Sequence, residues 1–488
     1  MIALYEQAPL CIGGVALVIV IVTYTWQVLK SPVSRVPGPW HSKWTSLASK
    51  YQFLLGREAY YVHSLHQKYG PIVRIGPSEV DISDVQAVRT IYAIKSEYTK
   101  TEWYNHLTSL PVRNLFDATD FEYHRRHRRL LGANMTESSL KACLSVIVPK
   151  VDLTILRMRE EMKTRGAVDV WKWWLFMATD IIGELTFGES FQTLEQGRKS
   201  TYTEQLELVA PLSAMRSLFP NLATIAKALP IPIFSQAVEG TKKLRQYSKD
   251  SLSRHQRLVN SDPTRAKQSL FTKLYKAVDE NELTFEELLA EAQGYIVAGS
   301  DTTANTLTYL VWSVARRPDI KATLLSELRQ LPGDYIESDL RQLPYLSEVI
   351  EETLRMYSAV PGGLPRSVPV GGAELAGYWL PTGTTVRAQS YTMHRDPFVF
   401  PNPDVFDPSR WREPTKAMLD ALMPYGRGSR VCIGKHLAYM ELRLATARFF
   451  LAFPEVSVSA KEGMTDEDMV AKVFFLLFPQ GKRCLLEF

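Results

Sequence analysis

The residues best equipped for chemistry lie in one short loop near the carboxyl end, Pro424-Tyr-Gly-Arg-Gly-Ser-Arg-Val-Cys-Ile-Gly434, which runs straight into a helix-like stretch from Lys435 to Phe453. That order sets Cys432 at the mouth of a helix. Unpaired backbone N–H groups and the positive end of the helix dipole favour a thiolate there, and the thiolate is the form that ligates a metal. Gly428 and Gly434 bracket it; residues without a Cβ let backbone approach a flat cofactor closely and aim amides at the sulfur. Arg430, two residues before the cysteine, is well placed to pair with an anionic edge of such a cofactor. The competing reading is a free cysteine that is simply a small buried apolar residue. Tyr425, Gly428, Arg430, Cys432 and Gly434, agreeing in type and spacing, argue together against it.

A second group lies inside a long apolar stretch. Thr284-x-x-Glu287 is a capping box and Pro318 a stop, so the spacing predicts one helix over Thr284 to Arg317. At 1.5 Å per residue that helix is roughly 50 Å long, enough to cross a whole core. Midway, Ala298-Gly-Ser-Asp-Thr-Thr303 interrupts the apolar pattern with an acid beside hydroxyls. A helical threonine can donate to the carbonyl four residues back, which for Thr302 is that of Ala298, and so bend the helix open; Gly299 leaves space. The alternative is a plain polar kink, or a second helix start capped by Ser300 or Asp301.

The spacing Tyr425-x-x-Gly428-x-Arg430-x-Cys432-x-Gly434 resembles the haem-binding loop of the cytochrome P-450 family, with Tyr425 where that family usually has phenylalanine. Further motifs follow in the family's order. His124 and Arg128, four apart in Tyr123-His-Arg-Arg-His-Arg-Arg-Leu-Leu131, share a helix face. Ala298 to Thr303 is similar to the family's acid–alcohol pair, and Glu352-Thr-Leu-Arg355 with Arg410 in Phe406-Asp-Pro-Ser-Arg-Trp411 is similar to its glutamate–arginine–arginine lock.

What the resemblance implies is a mainly α fold with a minor β region, a single catalytic domain over 42–488 on an N-terminal transmembrane helix. It implies haem b, iron protoporphyrin IX, with Cys432 as axial iron ligand and Tyr425, Gly428 and Gly434 close by. Arg430, His124, Arg128 and Arg366 would meet the propionates. Asp301 and Thr302 would relay the protons that cleave dioxygen, while Glu352, Arg355 and Arg410 would lock the meander behind the thiolate loop, a structural role. The implied reaction is a monooxygenation, one oxygen atom entering a lipophilic small molecule and the other leaving as water. No flavin or nicotinamide fold is evident, so electrons would come from an NADPH-cytochrome reductase, with cytochrome b5 as a second donor. The chain most resembles filamentous-fungal members that tailor secondary metabolites. Two alternatives stay open: a peroxide isomerase or dehydratase of the same fold that needs no O2, and a non-enzymatic membrane haem sensor.

The rest of the chain must position these groups. Of 488 residues, 45% are hydrophobic and 22% charged, which excludes disorder, and a net charge of +5 makes no case for nucleic acid. Cys11, Cys143, Cys432 and Cys484 lack disulfide-framework or zinc spacing, which fits a reducing compartment. Leu10 to Leu29 carries no charge, and about twenty helical residues cross a bilayer. Only Glu6 precedes this run, whereas Lys30 and Arg35 follow it; a cleaved signal peptide has its positive charge first. The expectation is a short lumenal tail over 1–9, an anchor over 10–29, a proline-rich hinge over 30–41, and a cytosolic body on the endoplasmic reticulum. A hairpin is expected within 69–83, helices over 138–164, 169–184 and 346–357, and a strand pair at 473–478 whose turn closes the substrate pocket. Arg125, Arg126 and Arg129 are candidates for a patch that meets an acidic electron donor, against the plainer reading of a solvated charge run. The apolar stretch 210–234 either packs internally or dips into a membrane, and His394 reads as a satisfied structural histidine.

Overall fold

Helical periodicity dominates the body, and in the computed structural model, which describes residues 2–108, 110–221, 232–261 and 269–488, helices carry most of the core. Side chains of 2–14 and of several helical positions in 208–237 and at 273 lie outside the description. The helices used below are α1 (Ile2–Lys30), α2 (Trp103–Leu107), α3 (Phe121–Gly132), α4 (Leu144–Arg165), α5 (Val170–Phe187), α6 (Thr201–Leu218), α7 (Phe285–Ala315), α8 (Pro344–Met356) and α9 (Lys435–Ala452). The strands are β1 (Ile72–Gly76), β2 (Glu79–Ile82), β3 (Thr99–Lys100), β4 (Arg366–Ser367), β5 (Thr385–Arg387), β6 (Ala471–Val473) and β7 (Leu477–Pro479).

Helix α7 is the axis of the core. Thr284 Oγ1 accepts from Glu287 N at 3.1 Å and Glu287 Oε2 accepts from Thr284 N at 2.7 Å, the reciprocal box that satisfies orphan donors of the first turn. From Thr303 to Ala315 every residue is buried, and the hydroxyls of Thr306 and Thr308 donate back to Thr302 O and Ala304 O at 2.8 Å, so this polar content needs no outside partner. α5 lies along it. A Cβ built on Gly299 would come within 2.7 Å of Ile182 Cγ1, so the room this glycine leaves is taken by α5. The space expected at Gly299 is thus filled by a neighbouring helix.

The stretch 138–164 is not one helix: Thr136 caps a separate turn, Glu137–Leu140, and the chain resets at Lys141–Cys143 before α4 begins. The minor sheet has the order β1-β2-β5-β4-β3, with β2 parallel to β5 and the other pairs antiparallel. β6 and β7 form a separate hairpin whose tip is residues 474–476. The proline-rich segment is packed down on the sheet. Val33 and Val36 are each 1% exposed, and the buried Arg74 guanidinium donates to the carbonyls of Ser34, Val36 and Pro39 and to Ser42 Oγ.

Among the described residues no helix is long and apolar enough to cross a membrane. α1 covers the expected span 10–29, and a transmembrane span there is not supported among the described residues. Residues 222–231, within the apolar stretch 210–234, lie outside the description, and α6 ends at Leu218.

A charged knot holds the meander that precedes the cysteine loop. Arg355 grips Glu352 with two hydrogen bonds of 2.8 Å, and both side chains are fully buried. Glu352 also accepts from Arg410 Nε at 3.0 Å, Trp411 Nε1 at 2.9 Å and Asp407 N at 2.9 Å, while Arg355 donates to the carbonyls of His394 and Pro403. His394 is spent on structure: Nδ1 donates to Arg355 O at 2.8 Å and Nε2 accepts from Met423 N at 2.8 Å. Removing one partner of a buried, hydrogen-bonded pair strands the other charge, so Arg355→Met is expected to cost about 3–5 kcal/mol. The Glu352→Gln, Arg355→Met double variant should recover part of it. Chemical denaturation of the three proteins checks this; a single variant as stable as the parent would show that the knot does not hold the fold.

Candidate active site

The cysteine loop is set by two constraints at its ends. Gly428 has φ +65, and a Cβ there would lie 2.0 Å from Tyr92 O and 2.7 Å from Ala93 O. The close approach that requires glycine here is to the 92–93 backbone. At the other end Gly434 precedes α9, and a Cβ on it would lie 3.8 Å from Cys432 Sγ. Cys432 N donates to Tyr425 O at 2.9 Å, closing the loop, and the Tyr425 ring packs on Tyr439 with centroids 5.5 Å apart.

Cys432 is accessible, yet protein surrounds it on the longer scale that governs ionisation, so it opens onto an internal cleft rather than bulk water. Burial raises its thiol pKa; the amides of Gly434 and Lys435 and the charges of Arg128 and Lys435 pull the other way. The helix mouth favours the anion as expected, but desolvation outweighs it. A stable thiolate here calls for a metal cation, which deprotonates a coordinating thiol outright.

Around that cleft the chain buries positive charge. Lys100 and Arg366 face each other across the β3–β4 register, and they are 8% and 4% exposed. Arg430 donates to Ala118 O at 2.7 Å, and Arg128 donates to Val431 O, beside the cysteine. His124 is 5% exposed, and its pKa falls to about 3 through burial first and then the charges of Arg430, Lys100, Arg128 and Arg366. Mutual repulsion with Arg366 adds to burial in lowering Arg430 to about 10 and Lys100 well below its ordinary value. Among the described residues none of the five has an ion-pair partner, and neither the His124 imidazole nor the Arg366 guanidinium has a hydrogen-bond partner. Asp117, the nearest acid to Lys100, is already held by Thr108 Oγ1 and Asn114 N.

The C-terminal half of α3 is fixed against α7 by His127, whose Nδ1 lies 2.7 Å from Glu291 Oε1 and Nε2 3.3 Å from Glu287 Oε1. Arg126 donates to Glu287 as well. Its side chain remains 41% exposed while it pairs with Glu287; Arg125 pairs with Glu122 on the surface at 2.6 Å, and Arg129 stays exposed. On α7, Thr302 Oγ1 donates to Ala298 O at 2.6 Å, and the helix stays continuous through this turn. Burial and Glu207 raise the Asp301 carboxyl to about 6, against the opposing charge of Lys199.

The description of the cytochrome P450 family matches residues 39–483. The chain belongs to the cytochrome P450 family. It is 46% identical to the cytochrome P450 monooxygenase tazI of Aspergillus terreus, over 97% of each chain. It is 40% identical to the cytochrome P450 monooxygenase orf2 of Aspergillus niger over 98% of this chain and 97% of that one, and 33% identical to aflV of Aspergillus parasiticus over 98% and 96%. The solved haem domain of cytochrome P450DA shares the fold, with TM-score 0.76 and 18% identity over 93% of this chain and 97% of that one. This P450 is an oxidoreductase, and its family binds haem b through a cysteine thiolate.

The residues present fit that group. Two buried cations, Lys100 and Arg366, two half-buried ones, Arg128 and Arg430, and the buried, unpartnered His124 imidazole gather near one accessible thiol, and a porphyrin with two propionates would supply the missing negative charge. Lys100 was not singled out from the sequence. It stands in a two-residue strand in Tyr98-Thr-Lys-Thr, and only the pairing with Arg366 reveals it. Gly428→Ala in this P450 is expected to cost about 2–4 kcal/mol, from a positive φ plus a clash with backbone that cannot move aside. Thermal unfolding and the haem content of purified protein check it; a fully loaded, equally stable Ala variant would contradict the constraint.

Proposed function

We propose that this P450 is a haem-thiolate monooxygenase, inserting one atom of O2 into a lipophilic small molecule of fungal secondary metabolism, with electrons from an NADPH-dependent reductase. The observation that carries the reading is the unbalanced positive charge gathered next to Cys432. Haem, when bound, supplies the oxidising chemistry. Cys432 would hold its iron, and Arg430, Arg128, His124, Arg366 and Lys100 would meet its propionates. Tyr425, Gly428 and Gly434 shape the loop around the sulfur; Glu352, Arg355 and Arg410 fix the loop's entry.

Asp301 and Thr302 handle protons. A carboxyl near 6 exchanges its proton close to neutral pH, which is where a relay group is most useful. The Thr302 hydroxyl keeps its lone pairs free to accept while it donates to Ala298 O. The cleft of about 650 Å³ beside Cys432 is lined by Arg128, Lys141, Arg341 and Lys435 against the acid Glu137, and this excess of cations suits the approach of an acidic donor protein. α1 anchors the body to the membrane: Val15 and the run Leu17 to Val22 are 54–61% exposed, an apolar surface without cover among the described residues. The peroxide-isomerase alternative needs neither reductase nor Asp301 and Thr302, so the requirement for NADPH and reductase separates the two.

Cys432→Ala should abolish the long-wavelength absorption of the reduced carbon monoxide complex; an unchanged band would remove the ligand assignment. Thr302→Ala should divert electrons to peroxide, read as NADPH consumed without product. In the parent the neutral carboxyl is the proton-bearing form, so coupling should fall as pH rises through about 6, and Asp301→Asn should flatten that limb. A pH profile of product per NADPH that is identical in the parent and Asp301→Asn would refute the relay.

A further inference from the structure

Beside the cation cluster, one corner of the interior is walled by aromatic rings that the fold does not bury. Phe116 is 40% exposed although its neighbours Leu115, Asp117 and Ala118 are 8%, 0% and 1% exposed. Its ring meets Phe475, at the tip of the β6–β7 hairpin, edge-on at 5.6 Å, and Phe475 meets Trp103 of α2 at 6.1 Å. The Lys100 ammonium lies 4.6 Å from the Phe116 ring, so this corner adjoins the charge that holds the cofactor edge.

The corner also borders α7 where the oxygen chemistry is placed. A Cβ on Gly294 would lie 2.9 Å from Asn114 Nδ2, and Glu291 is hydrogen-bonded by the backbone of Leu115, so the segment 114–116 rides on α7 at that turn. The next turn exposes Val297, at 40%, and Ala298, between the buried Ile296 and Ser300. Ala298 O is the acceptor of the Thr302 hydroxyl. Trp103 is held in place from behind: Arg216 of α6 donates to His106 O at 2.7 Å and Leu107 O at 2.9 Å, and Arg113 donates to Asn105 O at 3.1 Å, which satisfies the C-terminal carbonyls of this short helix. Among the described residues the Trp103 indole N–H has no hydrogen-bond partner and is not sealed from solvent.

We propose that Trp103, Phe116 and Phe475 form a stacking wall that selects a flat, conjugated ring system bearing an oxygen acceptor, over a saturated skeleton of the same size. This deepens the monooxygenase reading and rests on it. Aliphatic walls accept saturated and aromatic skeletons alike through burial alone; ring faces add an attraction that only a π surface returns. The Trp103 N–H supplies one donor for a carbonyl or phenol oxygen at the rim of such a system.

The test is a spectral titration of the haem-loaded full chain with 9,10-anthraquinone and with its perhydrogenated analogue. The aromatic probe is expected to perturb the haem absorption with a Kd at least about tenfold lower. Phe475→Leu, at a hairpin tip, and Trp103→Leu should each lose most of that preference while retaining the carbon monoxide band of the parent. Equal affinities for the two probes, or full preference in both variants, would overturn the wall while leaving the monooxygenase reading intact. Absence of the carbon monoxide band in the parent would overturn both.

Discussion

The constraint on which this structure depends is electrostatic: positive charge gathers around Cys432, and Asp117, the buried acid beside Lys100, is already held by Thr108 and Asn114. Taking one ion out of water costs on the order of several kcal/mol even after relaxation, and like charges facing across a strand pair add to that. Lys100 and Arg366 do both at once. The contrast with Glu352 is instructive, because there every carboxylate lone pair meets a donor and the charge is neutralised where it stands. A chain that satisfies one buried charge so fully and leaves four cations without an ion-pair partner and the His124 imidazole without a hydrogen bond among the described residues is shaped for a ligand. Binding an anionic cofactor then stabilises the fold by mass action, since the unfolded chain offers no such cluster.

The second organising element is α7, which works as a ruler. Its N-terminal turns hold α3 through Glu287 and Glu291, which fixes the face that carries His124 and Arg128. One turn further it meets the 114–116 segment, then exposes Val297 and Ala298, then presents Asp301 and Thr302, and finally disappears into the core. The groups to which the cofactor edge, the substrate wall and the proton relay are assigned under the proposed function would thus be spaced along one rigid rod. Close packing at Gly299 against Ile182 prevents the rod from drifting relative to α5.

This architecture explains what could be read from the sequence. The cysteine loop, the capping box at Thr284 and the Glu352–Arg355 pair were legible because each is local: residue type and spacing determine the geometry. What depends on pairing between distant segments was not. Lys100 becomes meaningful only opposite Arg366, and Arg126 has an acid to pair with only because Glu287 lies across from it. Gly299 and Gly428 were recognised as special, but the missing Cβ makes room for Ile182 and for the 92–93 backbone, neighbours that no spacing names. The break before α4 was missed because Thr136 caps a turn that the apolar periodicity runs straight through.

The link between the charged knot and the thiol loop runs through His394, and its chemistry requires the neutral ring. Nδ1 must donate to Arg355 O while Nε2 accepts from Met423 N, two roles that only one tautomer fills together. Burial first, and then the charges of Arg355 and Arg395, push this imidazole down to about 3, so the acceptor survives across the whole physiological range. Met423 stands directly before the loop that begins at Pro424, and the carbonyl of Pro424 in turn accepts from Ser358 Oγ at 3.4 Å, just past the end of α8. A histidine that titrated near neutrality would loosen the loop with every change of pH. One held neutral chiefly by burial, and then by the charges of Arg355 and Arg395, keeps both of its hydrogen bonds as the pH changes around neutrality.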